Sequence, residues 1–276
     1  MMNRIPLGER MKKYEESTNF RIIPRTPVMI RIDGKKFSNL TKRLKLEKPY
    51  DQIFAAWMTE TTRRVCDEMQ GCVLGYTQSD EITFVVRTDQ TDDTVPWFDN
   101  RIQKMVSIAA SVASVEFNYQ LWAALDEHAE DYRANFDCRV WPMPSMTEVV
   151  NNLIWRQRDC TKNSISSAAY YEIGRVLGKG TARKMLHNLK QDERQELLFE
   201  KAGINWNNYP AEFKRGIVVY RTEVKVETEN GVAIRKRWIN SAAPIFTSEE
   251  GREWLNGVLN PSREDEDGKE ERMGQD

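Results

Sequence analysis

The chain has 276 residues, 30% of them charged and 40% hydrophobic, the balance of a globular protein long enough to bury a sizeable core. Its formal net charge of −1 leaves any nucleic-acid binding to local basic patches rather than to bulk charge. No apolar run reaches the length of a membrane span and the N-terminus lacks a signal-peptide core, so a cytoplasmic protein with no membrane partner is expected.

Cysteine and histidine usage narrows the chemistry further. Cys66, Cys72, Cys138 and Cys160 show no CxxC spacing, which argues for structural thiols over a zinc site. Only His128 and His187 are available, so zinc–histidine clusters and a histidine-based triad are poorly supported. Catalysis, if present, falls to carboxylates and a hard metal ion.

In chain order, Leu7–Thr18 reads as a polar amphipathic helix packed on the domain, and Pro27–Gly34 as a short buried strand ending on Asp33-Gly34. A basic loop, Lys35–Lys48, follows. Within it Lys48 stands apart, because it precedes Pro49 and a helix start, where an anion would meet free backbone N–H groups. Asp51–Met69 carries apolar residues at helical period, and Val73–Val86 reads as two strands joined by a tight polar turn holding Ser79, Asp80 and Glu81. Trp97–Tyr119 predicts a long helix whose first turns place Arg101 and Lys104 on one side. Phe136–Trp141 predicts a strand. The order strand, helix, strand, strand, helix, strand is the split pattern of an α+β, ferredoxin-like βαββαβ sheet, as in polymerase palm domains and nucleotide cyclases.

Ser145 with Glu148 predicts a capping box opening a helix that runs to about Leu177, where Gly178 and Gly180 stop it. Arg183–Leu189 and Gln191–Gly203 predict two shorter helices. Gly216–Val226 and Val232–Asn240 predict a C-terminal β-hairpin around Glu229-Asn230-Gly231. The tail Ser262–Asp276 is nearly all charged or Gly and is expected to be disordered. These features divide the chain into a catalytic core, 1–145, a helical and hairpin extension, 146–261, and the tail, 262–276.

Asp33 and Asp80 would fall near one end of this sheet, where two strand-end carboxylates and a carbonyl at Gly34 suit Mg²⁺. Two such ions could activate a hydroxyl and stabilise leaving pyrophosphate. Glu81 is the weaker ligand, since a regular strand would point it away from Asp80. Either acidic segment alone reads as an ordinary turn. Their joint placement points to metal-dependent nucleotidyl or phosphoryl transfer.

Several segments carry a resemblance. They are Arg31-Ile-Asp33-Gly34-Lys-Lys-Phe37, Lys48-Pro49, Tyr76-Thr-Gln78-Ser79-Asp80-Glu81-Ile-Thr-Phe84, Phe136-Asp137-Cys-Arg139, Pro144-Ser145, Trp155-Arg156-Gln157-Arg-Asp159-Cys160, Gly203-Ile204-Asn205-Trp206-Asn207 and Phe213-Lys214-Arg215-Gly216. Together, from roughly Leu7 to Ile245, the chain resembles the tRNA-His guanylyltransferase family. The resemblance implies a reverse polymerase that activates an RNA 5′-monophosphate with ATP and extends it 3′-to-5′ with a nucleoside triphosphate, using two Mg²⁺. It implies Asp33, the Gly34 carbonyl and Asp80 as metal ligands, Lys48 and Ser79 near the triphosphate, and Arg31 near the active centre. Arg101 and Lys104 are candidates for the activating ATP, and Glu81, Arg156, Asp159 and Asn163 for support.

Where eukaryotic members carry His-Ile-Asn-Asn-Leu-Tyr-Asn, this chain reads Thr161-Lys162-Asn163-Ser164-Ile165-Ser166-Ser167. That departure resembles the bacterial and archaeal guanylyltransferase-like members and implies template-dependent repair of truncated tRNA. Non-templated guanosine addition to tRNA-His is the alternative. A palm-fold cyclase or a non-catalytic tRNA-binding protein remains the reading from another class. The resemblance also implies a homotetramer. Candidate tRNA contacts are Arg183, Lys184, Lys190, Lys214, Arg215, Arg235, Lys236 and Arg237, directed at phosphates and shape.

Overall fold

Strand β1 (Val28–Gly34) buries Val28, Met29, Ile30 and Ile32 because helices cover both sides of it. Its alternate residues part to two cores. Val28, Ile30 and Ile32 face one way, and Met29 joins a separate cluster on the other side. The computed structural model describes residues 5–91, 93–125, 131–228 and 231–260. They form a mixed α/β fold around one six-stranded antiparallel sheet, β4 (Phe136–Pro142), β1, β3 (Glu81–Val86), β2 (Cys72–Gln78), β5 (Ile217–Thr228) and β6 (Gly231–Ala242), in that spatial order.

One face is covered by α3 (Gln52–Glu68) and α4 (Ile102–Ala124), which supply Trp57, Met58, Val65, Met105, Ala109, Ala113 and Phe117. The opposite face takes the first half of α5 (Met146–Leu177) and α9 (Glu249–Leu259), through Val149, Leu153, Leu255 and Leu259. The second half of α5 leaves the sheet and forms a small third core. There it packs with α6 (Lys179–Met185), α7 (Gln191–Ala202) and α8 (Ala211–Arg215), around Ala168, Ile173, Ala182 and Leu198.

Paired amides weld these layers where apolar contact alone would let them slide. Asn118 of α4 donates to the Ala134 carbonyl and accepts from the Ala134 N–H, each at 2.8 Å, fixing the chain just before β4. Buried Gln157 of α5 does the same for the segment after β6, donating to Pro244 O at 2.7 Å and accepting from Phe246 N–H at 2.9 Å.

Several expectations are corrected. The basic stretch 35–48 is not all loop: Phe37–Arg43 forms α2, buried through Phe37, Leu40 and Thr41. The helix expected from Trp97 begins only at Ile102, because Phe98, Asp99 and Asn100 all adopt left-handed backbone. The N-terminal helix, α1 (Leu7–Glu16), buries none of its residues and is not packed on the domain as expected. The helix expected over Arg183–Leu189 starts at Lys179, directly after Gly178 ends α5 with φ 84°. Helices α8 and α9 were not foreseen; α9 is capped by the Ser248 hydroxyl on Gly251 N–H at 3.1 Å. The hairpin β5–β6 is present, and it extends the core's own sheet through β2 rather than packing beside it. Its turn residues Glu229 and Asn230 and the tail 262–276 lie outside the described residues.

Replacing Asn118 with Ala leaves a buried N–H and a buried carbonyl of Ala134 without partners. The expected loss is about 2 kcal/mol of unfolding free energy, checked by urea denaturation with the slope of the transition unchanged.

Candidate active site

Sheet register brings the acidic residues together. At one end of the sheet Asp33 lies directly across from Glu81 on β3 and from Asp137 on β4. Directly opposed residues share a face, so all three carboxylates point to the side covered by α5. Strands β2 and β3 are joined by a two-residue turn, Ser79-Asp80, between the paired Gln78 and Glu81. Ser79 takes the left-handed conformation (φ 51°) needed for so tight a reversal. The turn is tied to β1 by Gly34 N–H donating to Asp80 O at 2.9 Å. Gly34 itself is required by packing: a Cβ there would stand 2.4 Å from the Phe37 ring. That ring is wedged against Phe136 at 4.9 Å, Phe117 at 5.1 Å and Phe54 at 6.1 Å.

Asp33, Asp80, Ser79 and Glu81 open onto a cavity of about 490 Å³ whose other walls are Lys48, Tyr50, Phe213 and the α5 residues Arg156, Asp159, Asn163 and Ser167. Burial pushes the Asp80 carboxyl above its ordinary range; the nearby charge of Asp33 adds to the shift, and the Ser79 hydroxyl, 3.1 Å away, opposes it. Lys48 is half-buried, which lowers its ammonium pKa against the pull of Asp51 and Asp80. Its Nζ donates to the Thr41 hydroxyl at 3.2 Å. The helix start beyond it is less open to anions than expected, since Asp51 already caps it through Phe54 N–H at 2.9 Å.

Glu81 does not point away from Asp80. Because Asp80 sits in the turn rather than in the strand, alternation does not separate them, and both reach the cavity. Glu81 is nonetheless committed. Arg156 grips both of its oxygens at 2.6 and 2.8 Å and reaches Asp159 at 2.9 Å, with the Arg156 and Glu81 side chains only 7% and 13% exposed. Asn163 in turn donates to Asp159 at 3.1 Å. Cys160 also lines the cavity, but burial pushes its thiol up to about 12, which keeps it protonated and unreactive.

The donor set fits magnesium. Two carboxylates and the Gly34 carbonyl are hard oxygens too few to complete a cage, and among the described residues no group of three or more His, Cys, Asp and Glu could hold an ion alone. The remaining positions suit water and phosphate oxygens, as Mg²⁺ prefers. The like charges of Asp33 and Glu81 add to the effect of burial on Asp80, and a cation at this rim would offset that repulsion.

Other expected residues fall elsewhere. Arg31 is on the face of Asp33 but outside the cavity, between the rings of Trp141 and Trp155. Arg101 and Lys104 begin α4 after β3 has run to the far end of the sheet; they turn toward Phe98 and do not line the cavity. Lys214 donates to Asn207 O and Arg215 to Ala243 O, so both serve the fold. Arg183, Lys184, Lys190, Arg235, Lys236 and Arg237 are exposed. Sequence reasoning missed the aromatic walls Tyr50 and Phe213, whose rings meet at 5.3 Å. Their signals were the position of Tyr50 after Lys48-Pro49 and that of Phe213 at the head of the Phe213-Lys214-Arg215-Gly216 segment.

Acids, a lysine and aromatic walls thus surround one cavity, a set of groups of the kind that handles nucleotide phosphates. Comparison with known proteins agrees. The family profile described as tRNAHis guanylyltransferase matches residues 8–144, and the Thg1 C terminal domain profile matches residues 147–272. A probable tRNA(His) guanylyltransferase of Drosophila melanogaster is 33% identical over 220 residues, spanning 78% of this chain and 73% of that one. A bacterial tRNA(His) guanylyltransferase (Thg1)-like protein in complex with ATP has a TM-score of 0.77 at 32% identity, spanning 92% of this chain and 99% of its own. A structure of the same description in complex with GTP gives a TM-score of 0.72 at 32% identity, over 92% and 98%. The chain belongs to the tRNA(His) guanylyltransferase family, whose named members are nucleotidyltransferases.

Two outcomes follow from the site's electrostatics. Arg156→Ala strands a buried Glu81, and a loss of about 3–5 kcal/mol is expected; adding Glu81→Leu to an Arg156→Met background should recover most of it in chemical denaturation. Asp80→Asn should raise Tm at neutral pH. A carboxyl whose folded pKa lies above its unfolded value destabilises the fold as pH rises through that window, fully above it and not at all below about pH 4. The Tm gain should therefore vanish in acid.

Proposed function

We propose that this chain extends the 5′ end of truncated tRNA in the 3′-to-5′ direction, directed by the opposing template base. The carrying observation is the convergence of Asp33, Asp80 and Lys48 on one nucleotide-sized cavity, in a chain similar over 92% of its length to a protein solved with ATP. The fold reading behind it is a ferredoxin-like palm over 1–145 with an extension over 146–261, supported by the strand order β4-β1-β3-β2 and by the family profiles meeting near 145.

Asp33, Asp80 and the Gly34 carbonyl would hold Mg²⁺, two ions in this reading, which when bound neutralise phosphate charge and lower the pKa of an attacking hydroxyl. An oxygen of the RNA 5′-monophosphate displaces pyrophosphate from ATP, leaving an adenylylated end. The 3′-hydroxyl of the incoming nucleoside triphosphate then displaces AMP. Lys48 and Ser79 meet the triphosphate, while Tyr50 and Phe213 offer rings to its base. Arg156 fixes Glu81 and Asp159 so that neither drifts into the phosphates. The segment Thr161–Ser167, of which Asn163, Ser164 and Ser167 line the cavity, stands in place of the eukaryotic histidine motif and supports templated over non-templated addition. A homotetramer is supported by the bare face of α1, with Leu7, Met11 and Tyr14 exposed.

The test uses 5′-monophosphorylated tRNA lacking its first nucleotide, with ATP, Mg²⁺ and each triphosphate in turn. The nucleotide joined should follow the opposing base; guanosine added regardless of template would instead favour the tRNA-His reading. Asp33→Ala should abolish addition while leaving the melting curve that of a folded protein.

A further inference from the structure

Trp155 stands 53% exposed on α5, with the Arg156 guanidinium 4.5 Å from its ring centre, yet outside the cavity. The Arg31 guanidinium lies 5.8 Å from its ring centre and 6.0 Å from that of Trp141. Across from Arg31 on the edge strand β4 is Arg139, its side chain 57% exposed, with Asp137 at 3.8 Å as a loose partner. Opposed residues share a face, and two residues of strand span roughly 7 Å. Arg31, Arg139, Trp141 and Trp155 therefore form one open, cationic and aromatic surface that ends at Asp33.

Nucleotide addition needs two substrates to meet at the acids. The cavity has the size for the triphosphate, and the RNA end must approach from another side. An exposed indole flanked by guanidiniums is the chemistry that stacks an unpaired base and neutralises its phosphate. We propose that this surface receives the 5′-terminal nucleotide of the RNA, its base on Trp155 and its backbone phosphates on Arg139 and Arg31. This rests on the reading above of a nucleotide-adding enzyme.

The test is steady-state kinetics of the full chain with a 5′-monophosphorylated truncated tRNA, varying RNA and triphosphate separately. Trp155→Ala should raise the KM for RNA by about fivefold to a hundredfold, the range of a lost base stack, with the KM for triphosphate unchanged. Trp155→Phe, which keeps a ring, should restore most of the affinity. Arg139→Gln, on an exposed edge position, should lower the slope of log KM against log salt by about 0.7 to 0.9, one phosphate contact. A Trp155→Ala enzyme with unaltered KM for RNA, or one that loses triphosphate affinity instead, would overturn the platform. So would a Phe variant as impaired as the Ala one, or an Arg139→Gln enzyme with the wild-type salt slope. A wild-type enzyme that extends no RNA sinks the functional reading itself, a result separate from all of these.

Discussion

The hydrogen bond from Gly34 N–H to Asp80 O, 2.9 Å long, is the constraint on which the site depends. It ties the end of β1 to the β2–β3 turn, so two acids 47 positions apart in the chain share one rim. Neither turn would hold the geometry alone. The Phe37 ring seals the arrangement from beneath by lying where a Gly34 side chain would be, and its own position is set by Phe54, Phe117 and Phe136 from three other elements. The placement of the acids is thus a property of the core on the α3–α4 side, although the acids themselves face α5.

Helix α5 supplies the opposing wall. Its 32 residues have almost no amphipathic bias over their full length because the helix serves two cores in succession, first the sheet and then α6–α8. Arg156 and Gln157, adjacent in sequence, point to different tasks. One locks onto Glu81, the other onto the segment after β6. The result is a rigid wall facing a rim of like charges, an arrangement that holds the repulsion between Asp33 and Asp80 in place instead of relaxing it. Stability and the gathering of negative charge pull in opposite directions at this point.

Much of this was legible in the sequence. The succession of elements from β1 to β4 followed from periodicity and short connections, and the placing of Asp33 and Asp80 near one sheet end followed from their positions at the end of β1 and in the β2–β3 turn. Lys48 was singled out by its place before Pro49. What failed did so for physical reasons. Glu81 was assigned to the wrong face because the two-residue turn takes Asp80 out of the strand's alternation. Helix α2 was hidden by the basic residues within and around it, Lys35, Lys36, Lys42, Arg43, Lys45 and Lys48, though Phe37, Leu40 and Thr41 bury one side of it. The start of α4 was displaced by three consecutive left-handed residues, Phe98 to Asn100, of which only Asp99 and Asn100 are types that favour that backbone. Tertiary partners such as Arg156 for Glu81, 75 positions apart, leave no local trace.

The β5–β6 hairpin is longer than its anchorage. Only Ile217–Tyr220 pair with β2, while the two strands go on pairing with each other out to Thr228 and Gly231. At its root Asp67 of α3 accepts from Trp238 Nε1 at 3.1 Å and from Arg221 at 3.4 Å. Beyond Arg221 the ladder continues for seven residues to Thr228, roughly 24 Å at strand rise. With the ladder treated as a lever about Asp67, a tilt of about 10° would displace its far end by about 4 Å.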